Sequence, residues 1–244
     1  FARAEMGGDR PFLWRKADRR WQSLSWTEVS HQVAALAQNL RHLGLRAGDR
    51  VVLVSENRPE WCIADLAIMA AGCITVPTYT TNTERDHQHI LDNSGARAVI
   101  VSTAKLARAL MPAVMRSEAK MVISMEPLRI GQHGDLAVYD WANLVNDGAE
   151  HMADIRAAVA KLTRDDIACL IYTSGTGGAP RGVKQHHGAI LHNASGAAEV
   201  LVNDFGLGAD EAFLSFLPLS HAYEHSGGQF LPIMVGAQIY YSEG

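Results

Sequence analysis

Val51-Val52-Leu53-Val54, Ala98-Val99-Ile100-Val101 and Met121-Val122-Ile123 are apolar at every position. A strand with one wet face alternates apolar and polar residues; one covered on both faces does not. These runs therefore predict strands of a parallel sheet packed between helices. The segments around them carry matching helical signals. Ser25-Trp26-Thr27-Glu28 has capping-box spacing, and Val29, Val33, Leu36, Leu40 and Leu43 recur at helical intervals up to Gly44. Pro59 suits the first turn of a helix running past Leu66 and Met69 to Gly72, after which Ile74-Thr75-Val76 reads as a strand. Thr83 to Asp92 reads as a helix stopped at Asn93-Ser94-Gly95, and another starts at Thr103. The expectation is an α/β fold of mainly parallel sheet flanked by helices, with strand order left open.

The stretch from Glu126 to Asp147, rich in Gly, Asp and Asn, reads as a loop-rich connection. It separates an α/β sheet region over 1–150 from a second region over 151–244. The latter begins with a helix from Ile155 to Leu162 and a strand from Ile167 to Tyr172. Phe213-Leu214-Ser215-Phe216-Leu217-Pro218 reads as a strand and a break, and Gln238-Ile239-Tyr240-Tyr241 as a final strand. A buried strand seldom closes a domain, so a fragment of a longer protein is expected.

Hydrophobic residues make up 48% of the 244 positions and charged ones 20%, which excludes a disordered chain. With 22 basic against 26 acidic side chains, the net charge of −4 argues against a general nucleic-acid binder. Cys62, Cys73 and Cys169 are odd in number and widely spaced, as expected of reduced core thiols in a cytoplasmic protein rather than a disulfide framework. Phe1-Ala2-Arg3-Ala4-Glu5 has no signal-peptide character. The uncharged run between Asp65 and Glu84 is broken by Gly72, Pro77 and several threonines, and reads as helix, turn and strand rather than a membrane span.

Chemistry concentrates after Tyr172. The strand runs directly into Thr173-Ser174-Gly175-Thr176-Gly177-Gly178-Ala179-Pro180-Arg181-Gly182-Val183. Glycines let backbone N–H groups approach an anion, hydroxyls donate to phosphate oxygens or ligate a cation, and a guanidinium grips phosphate with two parallel hydrogen bonds. No Asp or Glu occurs between Asp166 and Glu199, whereas Arg181, Lys184, His186 and His187 all do. A polyphosphate is the ligand such a loop suits. It is neither of the two common phosphate loops. Val183 stands where G-x-x-x-x-G-K requires lysine, and Pro180 where G-x-G-x-x-G requires glycine.

Tyr172 to Val183 resembles the signature Y-T-S-G-T-T-G-x-P-K-G-V of the adenylate-forming (acyl-activating) superfamily, with Gly177 for the second threonine and Arg181 for the lysine. Phe216-Leu217-Pro218-Leu219-Ser220-His221-Ala222-Tyr223-Glu224 is similar to the next motif, in the form found in long- and medium-chain fatty acyl-CoA synthetases. Arg50-Val51-Val52-Leu53, Asn57-Arg58-Pro59-Glu60-Trp61 and Gly72-Cys73-Ile74-Thr75-Val76-Pro77 resemble the amino-terminal sheet region. The family's Y-G-x-T-E and T-G-D segments and the carboxy-terminal domain with its catalytic lysine are not in this chain.

The resemblance implies the incomplete N-terminal domain of an enzyme that joins a fatty acid to ATP, giving acyl-AMP and pyrophosphate, and then passes the acyl group to CoA. By the same resemblance Thr173, Ser174, Gly175, Thr176, Gly177, Gly178 and Arg181 contact the phosphates. Thr176 ligates Mg²⁺, and His221 and Glu224 belong to the acyl and nucleotide site. Peripheral membrane contact and homodimer formation are left open.

Two other readings compete. His221-Ala222-Tyr223-Glu224-His225 matches H-x-x-E-H, which on a helix places two zinc ligands one turn apart beside a glutamate base, as in a metallopeptidase. A non-catalytic scaffold would require the loop to bind no nucleotide. His31, His42 and His151 fall on helices and read as solvated, and His186-His187 as phosphate contacts or surface. The five tryptophans read as core or edge packing.

Overall fold

The chain opens with a short helix α1 (Ala2–Gly7) and a hairpin of β1 (Pro11–Ala17) and β2 (Arg20–Ser25) in the computed structural model. The structure describes residues 1–128, 135–173, 179–208 and 210–242. The hairpin turns on Asp18 and Arg19, both left-handed at φ 50° and 62°. Two such residues in succession match the right-handed twist of the flanking strands.

Helix α2 (Trp26–His42) starts at the expected capping box: Ser25 Oγ accepts from the Glu28 N–H at 3.2 Å, and the Glu28 carboxylate accepts from the Ser25 N–H at 2.7 Å. There follow β3 (Arg50–Val54), α3 (Pro59–Ala70), β4 (Ile74–Thr78), α4 (Glu84–Ser94), β5 (Ala98–Val101), α5 (Ala104–Met115) and β6 (Met121–Ser124). A second capping box, Thr83 with Asp86, opens α4, and Gly95 closes it in the left-handed conformation at φ 60°. Next come β7 (Ala137–Asp140), α6 (Trp141–Leu144), α7 (Gly148–Val159), β8 (Ile167–Thr173), β9 (Arg181–His186) and α8 (His187–Phe205). The chain continues through β10 (Ala212–Ser215), α9 (Ala222–Glu224), a π-helical turn (His225–Phe230), α10 (Leu231–Val235) and β11 (Gln238–Tyr241).

Seven strands form one sheet in the order β7-β6-β5-β3-β4-β8-β9, parallel except for the β8–β9 pair. This sheet takes strands from both sides of residue 150. Val51 to Val54 are fully buried because both faces are covered. Val51 and Leu53 pack with α2 and α3, whereas Val52 and Val54 pack with α4 and α5. Burying each such side chain contributes about 1.5–3 kcal/mol. A four-stranded sheet, β10-β11-β1-β2, covers the other side of α2 and α3 through Phe12, Leu13, Ile239 and Tyr241.

The connecting region differs from expectation. Between Glu126 and Asp147 the chain forms β7 and α6, and α7 begins at Gly148 rather than Ile155 and ends at Val159 rather than Leu162. Strand β7 lies at the sheet edge, partly or fully exposed along its length, so it carries no continuous apolar run. All three cysteines are buried and free. Among the described residues no helix is long and apolar enough to cross a membrane.

Candidate functional site

The connection leaving β3 passes over one face of the sheet as α3, and that leaving β4 over the other as α4. Connections that part in this way leave a crevice at the carboxyl ends of the strands. The cleft the structure shows, of about 420 Å³, lies one strand further along, between the carboxyl ends of β4 and β8. Thr78, Tyr79, Asn82 and Asp86 wall one side, and Tyr172, Thr173 and Pro180 the other, with His221 and Ala222 also lining it.

Thr173 and Arg181 are register partners in the antiparallel pair β8–β9, so the connection between the two strands leaves and returns at neighbouring positions. Of the phosphate-site residues expected from sequence, Thr173 lines the cleft. Arg181 stands at the base of the loop, exposed and in no ion pair with a described residue. Ser174, Gly175, Thr176, Gly177 and Gly178 lie outside the described residues.

Helix α4 holds both legs of this hairpin. His89 Nε2 donates to the Pro180 carbonyl at 2.7 Å, and the Tyr172 hydroxyl donates to Asn93 Oδ1 at 2.7 Å. A carbonyl accepts only, which places the His89 proton on Nε2. Burial pushes the Tyr172 hydroxyl pKa up, partly offset by a hydrogen bond with Ser94. Hydrogen bonds from the Thr83 hydroxyl and N–H hold the Asp86 carboxyl below its ordinary value. Thr78 is 2% exposed and its Oγ1 has no partner among the described residues.

His221 caps α9, its Nδ1 accepting from the Tyr223 N–H at 3.2 Å. The neutral ring then carries its proton on Nε2, a donor available to the cleft. Glu224 sits elsewhere: it is buried, is not among the residues lining the cleft, and accepts from the Ser215 hydroxyl at 2.7 Å. Burial raises its pKa, with the bonds from Ser215 and the Phe216 N–H opposing the rise.

Asn57 completes this wall. Its amide donates to Ser215 Oγ at 3.0 Å and the Leu217 carbonyl at 2.6 Å, while its Oδ1 accepts from the Leu219 N–H at 3.0 Å. Two motifs far apart in sequence thus meet through one side chain. Asn57 was read only as part of the Asn57-Arg58-Pro59-Glu60-Trp61 resemblance; Thr78, Asn82, Asp86 and His89 have no local pattern, and the pairing of β4 with β8 brings most of them to the cleft.

The zinc reading is corrected by this geometry. His225 is 1% exposed and its Nε2 is bonded to Asp65 Oδ2 at 2.8 Å, whereas His221 is exposed at the cleft. Glu224 is engaged with Ser215. Among the described residues no group of three His, Cys, Asp or Glu side chains is placed to hold a metal ion. His186, also weighed for phosphate, caps α8 through Nδ1.

A family model described as AMP-binding enzyme matches residues 1–244. A long-chain-fatty-acid–CoA ligase of Mycobacterium tuberculosis is 36% identical over 208 residues, covering 85% of this chain and 33% of that protein. Long-chain-fatty-acid–CoA ligase 6 of Mus musculus is 30% identical over 230 residues, covering 90% of this chain and 32% of its own length. The crystal structure of a benzoate CoA ligase from Burkholderia xenovorans superposes with a TM-score of 0.76 at 25% identity, covering 98% of this chain and 43% of that one. The chain spans about a third of the length of the curated relatives it matches. With the family model spanning 1–244, a parallel sheet and a glycine-rich hairpin at its carboxyl edge, the chain belongs to the AMP-binding enzyme family.

Proposed function

We propose that this chain is the N-terminal part of an ATP-dependent acyl-CoA ligase that activates a long-chain fatty acid as acyl-AMP and transfers the acyl group to CoA. The observation that carries the reading is the cleft at the carboxyl ends of β4 and β8, lined by Thr173 at the end of β8, by Pro180 just before β9 and by His221. Residues 1–150 supply the α/β region, and 151–244 the phosphate loop and the start of the acyl and nucleotide site. The long-chain preference is supported by the names of the relatives from M. tuberculosis and mouse.

A carboxylate attacking an anionic α-phosphate requires that the departing pyrophosphate be neutralised and that water be kept out. In this reading Thr173, Ser174, Gly175, Thr176, Gly177 and Gly178 wrap the β- and γ-phosphates, and Arg181 pairs with one of them. His221 Nε2–H donates to an oxygen at the reacting centre, holding fatty acid and α-phosphate in line. The cleft's described donors are largely oxygens, from Thr78, Asn82, Asp86 and Thr173, which fits a hard divalent cation held mainly by substrate phosphates. Mg²⁺, bound with Thr176, would supply charge neutralisation there. A largely apolar cavity of about 380 Å³, lined by Phe230, Ile233, Leu66 and Trp26 but also by Arg164 and His187, lies toward the amino ends of β4 and β8, away from the cleft. The CoA thiol then attacks the acyl carbonyl, and AMP leaves with its electron pair.

The test is fatty-acid-dependent ATP–pyrophosphate exchange by the full-length protein, wild type and Arg181→Ala. Loss of one charge-assisted phosphate contact, about 1.5–3 kcal/mol, predicts a fall of about tenfold to a hundredfold. Absence of exchange in the wild type, or an unchanged rate in the variant, overturns the scheme.

A further inference from the structure

Asp65 lies in the middle of α3, fully buried, with no basic side chain of Lys or Arg in an ion pair with it among the described residues. Its Oδ2 accepts from His225 Nε2 at 2.8 Å and from Gln229 Nε2 at 2.7 Å. Both donors belong to the π-helical turn, and both are themselves buried, at 1% and 0% exposure. A carboxylate accepts only, so the His225 proton on this side is fixed to Nε2.

The cluster is costly. Asp65 Oδ1, His225 Nδ1 and Gln229 Oε1 have no partner among the described residues, and each such buried polar atom costs about 1–3 kcal/mol. Apolar packing in place of such a buried polar cluster is often neutral or stabilising. A π-helical turn is itself rare and recurs at functional sites. Together these features put a local penalty where the fold alone does not need one.

The turn's neighbour explains the placement. The His225 N–H donates to the His221 carbonyl at 2.9 Å, so the residue clasped by Asp65 is bonded directly to the backbone of the cleft histidine. Trp61 and Phe230 close on the His225 ring edge-on, at 5.6 and 4.9 Å between centroids. On the opposite side the Glu224 side chain is wedged over Gly228, where an added Cβ would fall 2.5 Å from the Glu224 carboxyl carbon. The His225 ring is thus held by Asp65, Trp61 and Phe230, while its backbone N–H is bonded to His221.

We propose that Asp65 is a positioning residue: through His225 and Gln229 it locks the π-helical turn and so sets the place of His221 in the cleft. This rests on the ligase reading only for its kinetic readout. Asp65 itself does not reach the cleft, and acts only through the turn.

Two measurements on the full-length protein test this. In a double-mutant cycle of Asp65→Asn and His221→Ala, each single change should lower kcat for acyl-adenylate formation about tenfold, with KM for ATP little changed. The double variant should be no slower than the worse single one, because residues acting through one another are not additive. Second, the His221 Cε1 resonance in ¹³C-histidine-labelled protein should shift in Asp65→Asn, while that of His89 stays in place. Multiplied losses in the cycle, or an unmoved His221 resonance, overturn the proposal. If the wild type shows no ligase activity, the resonance still decides it, and only the ligase reading falls. If Asp65→Asn does not fold, Gln229→Met, which removes one of the two clasps, replaces it in both measurements with the same expected directions.

Discussion

His89 Nε2 donates to the carbonyl of Pro180 at 2.7 Å, tying the middle of α4 to the returning leg of the glycine-rich hairpin. A loop rich in glycine has high conformational entropy, and ordering it on a ligand costs affinity unless something already restrains it. His89 and the Tyr172–Asn93 bond are that restraint, acting on residues at both ends of the loop.

Replacing His89 by Phe keeps a ring against Tyr172, whose centroid lies 6.2 Å away, but removes the tether. One partly buried hydrogen bond is worth about 0.5–1.5 kcal/mol, so thermal stability should change little. The apparent affinity for ATP should fall by about two- to tenfold, since the loop would then be ordered at the ligand's expense. Isothermal titration of the full-length protein with Mg·ATP reads this directly. Equal affinities for variant and wild type would mean that the loop is held without α4.

Much of the frame was legible because its physics is local. Val51 to Val54 are apolar throughout because helices cover both faces, and Ser25 with Glu28 marks a helix start by spacing alone. The hairpin β1–β2 was missed since Asp18-Arg19 takes left-handed conformations without the glycine that usually advertises such a turn. Strand β9 was hidden for another reason: it is a polar edge strand, and its residues Arg181 to His186 are mostly exposed. The supports of the site are illegible in principle from one sequence. Asn57 meets Ser215 across 158 positions, Asp65 meets His225 across 160, and His89 meets Pro180 across 91. Polar pairs of that separation leave no period to read.

Glu224 gives a pH signature. Burial raises its pKa above the ordinary 4.5, against the smaller opposing effect of its bonds from Ser215 and Phe216. The native state therefore holds the proton more tightly than the unfolded chain does. The stabilisation from this group is fully present below the unfolded value and is lost as pH rises through the raised native value. Glu224→Gln has no such dependence. The melting temperature of the variant relative to wild type should therefore rise between about pH 4 and about pH 8. Parallel melting curves over that range would show that the site does not disfavour the carboxylate.

Gly148 opens α7 directly against the backbone of α2. A Cβ built on it would fall 1.7 Å from the His31 carbonyl oxygen and 2.4 Å from the carbonyl carbon. No side-chain rotation relieves a clash with backbone, so alanine here must push the two helices apart. Overpacking of this kind costs about 1–3 kcal/mol, or roughly 2–12 °C in melting temperature for a chain of this size. Gly196 is the matched control. It lies inside α8, with nothing within 4 Å of an added Cβ, and alanine there gains helix propensity. Gly196→Ala should stabilise by about 0.5–1 kcal/mol. Differential scanning calorimetry of both variants reads the contrast. A Gly148→Ala protein that melts with or above the wild type would show that α2 and α7 do not meet at this distance, and the packing of α7 on α2 would have to be redrawn.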